Sequence, residues 1–344
     1  MSILSPPHPS PPQRHRAVIE RTAGWPRGRF HSECCLVTTV AEYYSPSRNI
    51  HCVKRSLVIA LCLTLAACSS EPTGSGATSG PEVADGKPVA EQTVHPSGTF
   101  TNMGDEESLN EVTAALARAG VPDDDIEDFA SQVSSFTQVV PDGTLVTDPI
   151  PLEDHTPDFG TIAEAAVNQN RLTNCRITTF TLAHSLITVG KPEGADSSML
   201  FIDLEQIEIE PQLFEDTRPS FEALYGRIPT TREKDVEQRT TDISQYLADH
   251  EVTFTNSKAS IISVFIHDTL DPQAYSFIGH TGLLVETSTG LLFIEKLAFD
   301  APYRAIWFDT RSQLNEYLMS MYDDGPDQDY GQPIIFENGS PLSL

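Results

Sequence analysis

The sequence predicts an α+β fold: a helical N-terminal lobe, a central helix carrying Cys175, and an antiparallel sheet of about four strands in the C-terminal part. Three observations predict it. Apolar residues recur at helical spacing between capping signals from residue 105 to about residue 249. From residue 259 the chain changes to short β-branched and apolar runs divided by turn residues. The two patterns are segregated along the chain, as in an α+β domain, rather than alternating as in a parallel α/β sheet.

The first helix is DEESLNEVTAALARAG, residues 105–120. Acids fill its first turn, Leu109, Val112 and Leu116 make the stripe, and Gly120 closes it. Pro122 opens a second helix with Ile126, Phe129, Val133 and Phe136 at helical spacing, stopped by the Pro-Asp-Gly turn at 141–143. A weaker helix covers about 159–169. Asn174 then offers a capping side chain to a helix running from Cys175 to about Thr188. Ile177, Phe180 and Ile187 lie on one side of it, Thr178, Leu182 and Leu186 on the other, so this helix is buried between layers. Residues 199–230 carry no clear period. A further helix, Glu233 to Asp249, aligns Val236, Ile243 and Leu247. Strands follow at 259–268, 276–286, 290–299 and 305–308. Thr310 and Gln313 form a capping box for a last helix, LNEYLMSMY.

The N-terminal region follows a different logic. Residues 53–70 read VKRSLVIALCLTLAACSS: a basic start, an apolar run too short to span a bilayer, and small residues before Cys68. This resembles a bacterial lipobox, which implies removal of the signal peptide 53–67, lipidation of Cys68, and attachment to the outer face of a cell membrane. Residues 1–52, rich in proline and arginine, stand where no signal peptide needs them. The expectation is that translation starts at Val53 and that 1–52 is a disordered extension of the gene model. Residues 68–98 are dominated by Ser, Gly, Pro and Thr and read as a flexible tether. Residues 99–344 remain for a single α+β domain.

The net charge is −27 at pH 7, and it is more negative still once the basic N-terminal region is removed. Such a surface repels nucleic acid and anionic headgroups, so neither is expected as a partner except through the lipid anchor on Cys68. Of the six cysteines, only Cys175 would then survive as a free thiol, and an intramolecular disulfide is excluded. The acidic run YDDGPDQDY (322–330) lacks the glycine and glutamate spacing of a calcium loop. No cofactor and no metal site is expected.

A thiol in the first turn of a helix feels the positive end of the helix dipole and free backbone N–H groups, both of which favour thiolate. Arg176 adds charge beside it. The thiol then needs a base and a group to orient that base. His184 lies nine residues on and is out of phase with Cys175, so it reads as a core histidine. His95 falls in the tether and His155 in a loop. His250, at a helix end, and His267, on a strand, remain open. His280 is the best candidate, because TSTG (287–290) reads as a hairpin turn. A two- or four-residue loop there sets Glu295 opposite Gly282, diagonal to His280 on one face of the sheet, about 7–8 Å away at Cα. Gly282 would leave space over which Glu295 leans. A three-residue loop would turn Glu295 to the other face. A carboxylate facing inward from LLFIEKLAF is costly without such a partner.

A cysteine at a helix head, a histidine on a strand and a polar residue on the next strand resemble the papain-like order of the NlpC/P60 endopeptidases. The matching residues are Asn174-Cys175, Gly279-His280-Thr281-Gly282 and Glu295. That resemblance implies Cys175 as nucleophile, His280 as base and Glu295 as its orienter, with Asn174 shaping the helix head. The chain departs from that family in its third residue, which there is more often His, Asn or Gln. Its long spacing from Cys175 to His280 implies a helical insertion at about 199–250. More extensively, NCRITTF, ASIISVF, GHTGLLVE and LLFIEKLAFDAPY resemble a family of Gram-positive lipoproteins known as domain of unknown function 4300, which implies no activity. Two functions stay open. One is a lipid-anchored cysteine amidase or peptidase acting on cell-envelope peptides. The other is a non-catalytic ligand-binding or scaffold lipoprotein, in which Cys175 is a packing residue.

Overall fold

The computed structural model describes residues 95, 97–154, 158–166, 172–209, 214–255 and 258–344. The expected extension 1–52, the signal peptide 53–67, Cys68 and most of the tether lie outside the described residues, as does His155.

The sheet is far larger than four strands. Its nine strands are β1 (Thr99–Thr101), β2 (Ile150–Pro151), β4 (Ile228–Thr230), β6 (Ala259–Asp268), β7 (Ala274–Glu286), β8 (Leu291–Lys296), β9 (Tyr303–Phe308), β10 (Ile334–Glu337) and β11 (Ser340–Pro341). They run in the order β11-β10-β6-β7-β8-β9-β1-β2, with β4 added beside β7. A second sheet pairs β3 (Ile187–Val189) with β5 (Val252–Phe254). The fold is α+β, and this broad antiparallel sheet replaces the small papain-like arrangement expected from the sequence. The miscount has a physical reason. The four long strands β6 to β9 are the ones read, whereas the added strands run from two to four residues and carry no alternation of their own. They gain their place from pairing with longer neighbours, as β1 does with β9.

Helices cover both faces of the sheet. On one face lie α1 (Glu106–Ala119), α2 (Asp123–Thr137), α3 (Phe159–Ala166) and α4 (Cys175–Ala183). Val112, Leu116, Phe129, Val133, Phe136 and Leu182 from these helices pack on Ile261, Leu283, Ile294 and Ala305 of the sheet. The helical N-terminal segment therefore shares its core with the sheet. Farther along the same side, α5 (Phe201–Ile209), α6 (Arg218–Tyr225) and α7 (Val236–Asp249) pack through Ile207, Phe221, Leu224 and Ile243 against Ile177 and Phe180 of α4. On the opposite face, α8 (Arg311–Tyr322) sets Leu314 and Leu318 on Ile262, Leu284, Phe293 and Ile306.

Several local readings hold. Asp105 caps α1 by accepting from Ser108 N at 2.9 Å, and Gly120 ends it in the left-handed region at φ +88°. The capping box of Thr310 and Gln313 opens α8. Helix α4 is buried along its whole length, as a helix apolar on two sides must be. It is shorter than expected. It ends at Ala183, and Ile187 and Thr188, read as its last residues, instead lie in β3. β-Branched Ile187, Thr188 and Val189 favour the extended pairing with β5.

Two features of β7 position the site. Val264 pairs with His280 and Phe265 with Ile278, so Gly279 is an extra residue in a β-bulge. A bulge bends the strand and re-aims the neighbouring side chain. A Cβ on Gly279 would run into the Ile266 side chain, which restricts this position to glycine. The four-residue turn 287–290 sets Glu286 opposite Leu291 and Gly282 opposite Glu295, the register that puts Glu295 diagonal to His280.

Candidate functional site

Asn174 sits just before α4 with extended backbone, and its side-chain oxygen accepts from Ile177 N at 3.0 Å. The head of α4 is fixed from outside by Asp203 of α5. Asp203 accepts from Asn174 Nδ2 at 2.8 Å and grips Arg176 through two parallel bonds of 3.0 and 2.9 Å. Arg176 also donates to the Ile278 carbonyl at 3.2 Å, tying the helix head to β7 just before the bulge. Asn174 thus shapes the thiol's position and does not contact His280 in any hydrogen bond.

On the sheet, His280 Nε2 meets Glu295 Oε2 at 2.6 Å. The other Glu295 oxygen accepts from Arg304 Nε at 2.9 Å and from the Tyr317 hydroxyl at 2.6 Å. Arg304 also donates to Tyr317. Tyr322, at the end of α8, stacks on the His280 ring at 5.0 Å and 20°. The space above Gly282 is taken by the Phe293 ring, 2.5 Å from where a Cβ would stand, so Glu295 does not lean across it. With Nε2 engaged by the carboxylate, Nδ1 is the ring nitrogen left for the thiol.

The Cys175 thiol lies against that ring. Burial alone would raise its pKa, but hydrogen bonding to His280, the charge on the ring and the Arg176 guanidinium outweigh burial and hold it below the ordinary thiol value. His280 is displaced the other way. Burial opposes its protonation, yet hydrogen bonds to Cys175 and Glu295, with their charges, push it up to about 9. Burial would also raise Glu295, but Arg304 and His280 bring it down to about 2. Thiol, imidazole, carboxyl and guanidinium thus form one buried chain in which each group shifts its neighbour toward the charged form. A packing cysteine in apolar surroundings would shift upward instead.

The group is enclosed. Cys175 is 3% exposed, His280 1% and Glu295 0%. Two surface hollows lie elsewhere, one lined by Arg118, Lys258 and Glu286, the other by Thr230, Gln238 and Asp242. Lys296, also buried, donates to the Phe299 and Ala301 carbonyls and lies 4.2 Å from the Phe136 ring centre. Burial depresses its pKa to about 7.

The remaining histidines stand apart. His184 faces the Phe180 carbonyl at 3.2 Å and Asp125 at 3.7 Å. His250 faces the Tyr246 carbonyl, and His267 faces the Thr231 carbonyl. His95, read as part of the tether, instead pairs with Glu111 at 2.6 Å and packs on Trp307. Among the described residues, no group of three or more His, Cys, Asp or Glu is placed to hold a metal ion. In the acidic run, Asp323 accepts from Gly325 N and Asp324 from the Tyr330 hydroxyl.

With this geometry in place, comparison with known families gives one match. A family model described as a domain of unknown function (DUF4300) matches residues 99–342. The chain belongs to this family. No curated protein and no solved structure matches it significantly. The DUF4300 match spans every residue of the cluster, from the head of α4 to the end of α8.

Sequence reading missed four members of the cluster in this DUF4300 chain: Asp203, Arg304, Tyr317 and Tyr322. Asp203 lies in the segment without a clear period. Arg304 carried a signal: it is the lone charge in YRAIWF, directly opposite Glu295 in the β8–β9 ladder. A lone cation facing a lone carboxylate across two apolar strands is a legible pair once both strands are aligned. Tyr317 and Tyr322 lie in the last helix, LNEYLMSMY, and nothing in the sequence marks them as partners of Glu295 and His280.

Proposed function

We propose that this chain is a lipid-anchored, extracytoplasmic thiol hydrolase, an amidase or peptidase acting on cell-envelope peptides, with Cys175 as nucleophile. The observation that carries this reading is the buried charge chain from Cys175 through His280 and Glu295 to Arg304. The imidazolium keeps the thiol ionised, and Glu295 orients the ring through Nε2. In the reaction, the Cys175 sulfur adds to the carbonyl carbon of the substrate. The departing amine takes its proton from the imidazolium, which leaves a thioester on Cys175. Water, deprotonated by the neutral ring, then releases the acid and restores the thiol. Glu295 holds one ring orientation through both halves of the cycle. Asp203, Asn174 and Arg176 hold the sulfur in place. The lipobox-like segment before Cys68 supports the membrane anchor, and the acidic surface suits substrates bearing free amines. Among the described residues, no helix is long and apolar enough to cross a membrane.

One observation favours a second reading. The thiol is 3% exposed, as expected of a polar centre that only organises the core of a binding or scaffold lipoprotein. Two measurements separate the readings. Treating the folded full-length protein with iodoacetamide near neutral pH, and reading Cys175 by peptide mass spectrometry, yields a labelled peptide if the thiol is a nucleophile. Labelling that needs denaturant supports the second reading. A strain deleted for the chain should regain its phenotype from the wild-type protein and not from Cys175→Ala; full complementation by Cys175→Ala would end the hydrolase proposal.

A further inference from the structure

Buried hydroxyl groups are normally hydrogen-bonded, so a group of unbonded ones requires an explanation. Side chains at positions i, i+3 and i+4 of a helix share one face, so Cys175, Thr178 and Thr179 point the same way along α4. Leu182 continues this face, and it packs on Leu283 and Ile294 of the sheet. Thr178 and Thr179 are each 1% exposed, and neither hydroxyl has a hydrogen-bond partner among the described residues. Tyr225, the last residue of α6, is 1% exposed and packs in the cluster of Ile177 and Phe180 of α4 and Ile278 of β7. Its ring is held by Phe221 at 4.9 Å and by Phe180 at 6.4 Å. Its hydroxyl approaches the Thr281 side chain, next to His280 on β7, and feels the charge on Cys175. Yet that hydroxyl makes no hydrogen bond of normal geometry. Thr281 donates its own hydrogen to the Ile262 carbonyl at 2.8 Å, so it can offer Tyr225 only an acceptor. The Tyr225 O–H is therefore a buried donor without a firm partner among the described residues, beside the residue that follows His280 on β7.

We infer that Tyr225 is the oxyanion donor of the Cys175 centre: its hydroxyl binds the oxygen that becomes negative when the sulfur adds to a carbonyl. This inference rests on the nucleophile reading above and deepens it. When the C–S bond forms, the carbonyl π pair moves onto oxygen. A hydrogen bond from a donor that is already oriented, in a site shut off from water, stabilises that charge most at the transition state. The positive end of the α4 dipole adds to the same pole. A phenol suits the task because burial keeps it protonated: its pKa is pushed well above the ordinary tyrosine value.

The test uses two reagents that differ in one respect. Iodoacetamide is attacked at a saturated carbon and forms no oxyanion. p-Nitrophenyl acetate is attacked at a carbonyl: the thiolate adds, the oxyanion collapses, p-nitrophenolate leaves with the C–O bond pair, and an acetyl thioester remains on Cys175. Full-length wild type and Tyr225→Phe are compared, with both modifications read at Cys175 by peptide mass spectrometry. Tyr225→Phe should acylate about 100-fold more slowly, while its alkylation rate and the pH midpoint of alkylation stay within about twofold. Its thermal midpoint should be unchanged or higher, because the hydroxyl it removes has no hydrogen bond to lose. Acylation at the wild-type rate would overturn the assignment while leaving Cys175 a nucleophile. An equal fall in both rates would overturn it too, showing that Tyr225 acts on the thiol itself. A wild-type thiol inert to both reagents would overturn the inference and the hydrolase reading together.

Discussion

Two of the places where the protein buries charge treat it differently. Around His280, charges alternate: thiol, ring, carboxylate and guanidinium each face a partner of opposite sign, and Tyr317 completes the carboxylate's bonds. Around His267, a fully buried guanidinium, that of Arg239, has a single bond, from Nη2 to the Gln332 carbonyl at 2.8 Å. Its Nε and Nη1 have no partner, and burial lowers its pKa to about 10. His267 beside it accepts from Gly331 N at 2.9 Å through Nδ1 and is lowered, chiefly by burial. Both sites are buried, so burial alone does not decide how a charge is treated. In the first, each group shifts its neighbour toward the charged form against the effect of burial. The second only straps the loop before β10 to α7 and β6.

The contrast predicts opposite responses to the removal of charge. Glu295→Ala leaves Arg304 and protonated His280 facing each other without the carboxylate between them. It should destabilise the fold by about 3–5 kcal/mol in denaturant titrations. A loss of under about 1 kcal/mol would mean that the cluster is wetter than its burial implies.

Acidity sharpens the comparison at the next level. The pKa of His280 is raised from 6.5 to about 9, so its stabilising contribution is complete below pH 6.5 and is lost as pH rises through about 9. Lys296, lowered from 10.5 to about 7, acts in the opposite sense, favouring the fold as pH rises over that interval. The two overlap, so the difference between wild type and His280→Gln isolates the histidine: the stability advantage of wild type should shrink on going from neutral to alkaline pH. A difference that stays flat across that range would show that His280 is not protonated in the fold. Glu295 works on the acid side. Depressed from 4.5 to about 2, it stabilises above pH 4.5 and loses that contribution as pH falls toward about 2.

The smaller effects belong to the second site and the surface. Arg239→Met removes a buried cation that has no counter-charge among the described residues, and should change stability by no more than about 1 kcal/mol, or raise it. A loss of several kcal/mol would place a hidden anionic partner beside it. Arg311, which bridges Glu337 at 2.7 Å and Glu286 at 2.9 Å near the surface, should cost about 1 kcal/mol or less when replaced by Ala, and less still at high salt.

What the sequence disclosed followed from local rules. Asn174 as a cap, the turn at 287–290 and the inward carboxylate of Glu295 depend on neighbours within a few residues, or on one hairpin. The hairpin register alone was enough to bring Glu295 to His280. The pairing of Cys175 with His280 rested on setting aside His184, His95 and His155 and on the hairpin register, with His250 and His267 still open, and the bulge at Gly279 was not visible at all. The sheet was undercounted because β1, β2, β10 and β11 acquire their conformation from longer partners. Asp203 was missed because α5 has no clean apolar stripe: Phe201 and Ile209 are exposed while Asp203 is buried. Its burial makes sense only beside Arg176, which lies on another helix.

The claim on which the rest depends is that Cys175 is ionised by His280 inside the folded protein. The ultraviolet absorbance of the thiolate measures this without needing a substrate or an open cleft. It is titrated in folded wild type, with Cys175→Ser as the blank and His280→Gln as the comparison. The charge chain predicts a midpoint below that of an ordinary thiol in wild type and a clear upward move in His280→Gln. A wild-type thiol that ionises only in the alkaline range, with the same midpoint in both proteins, would contradict it.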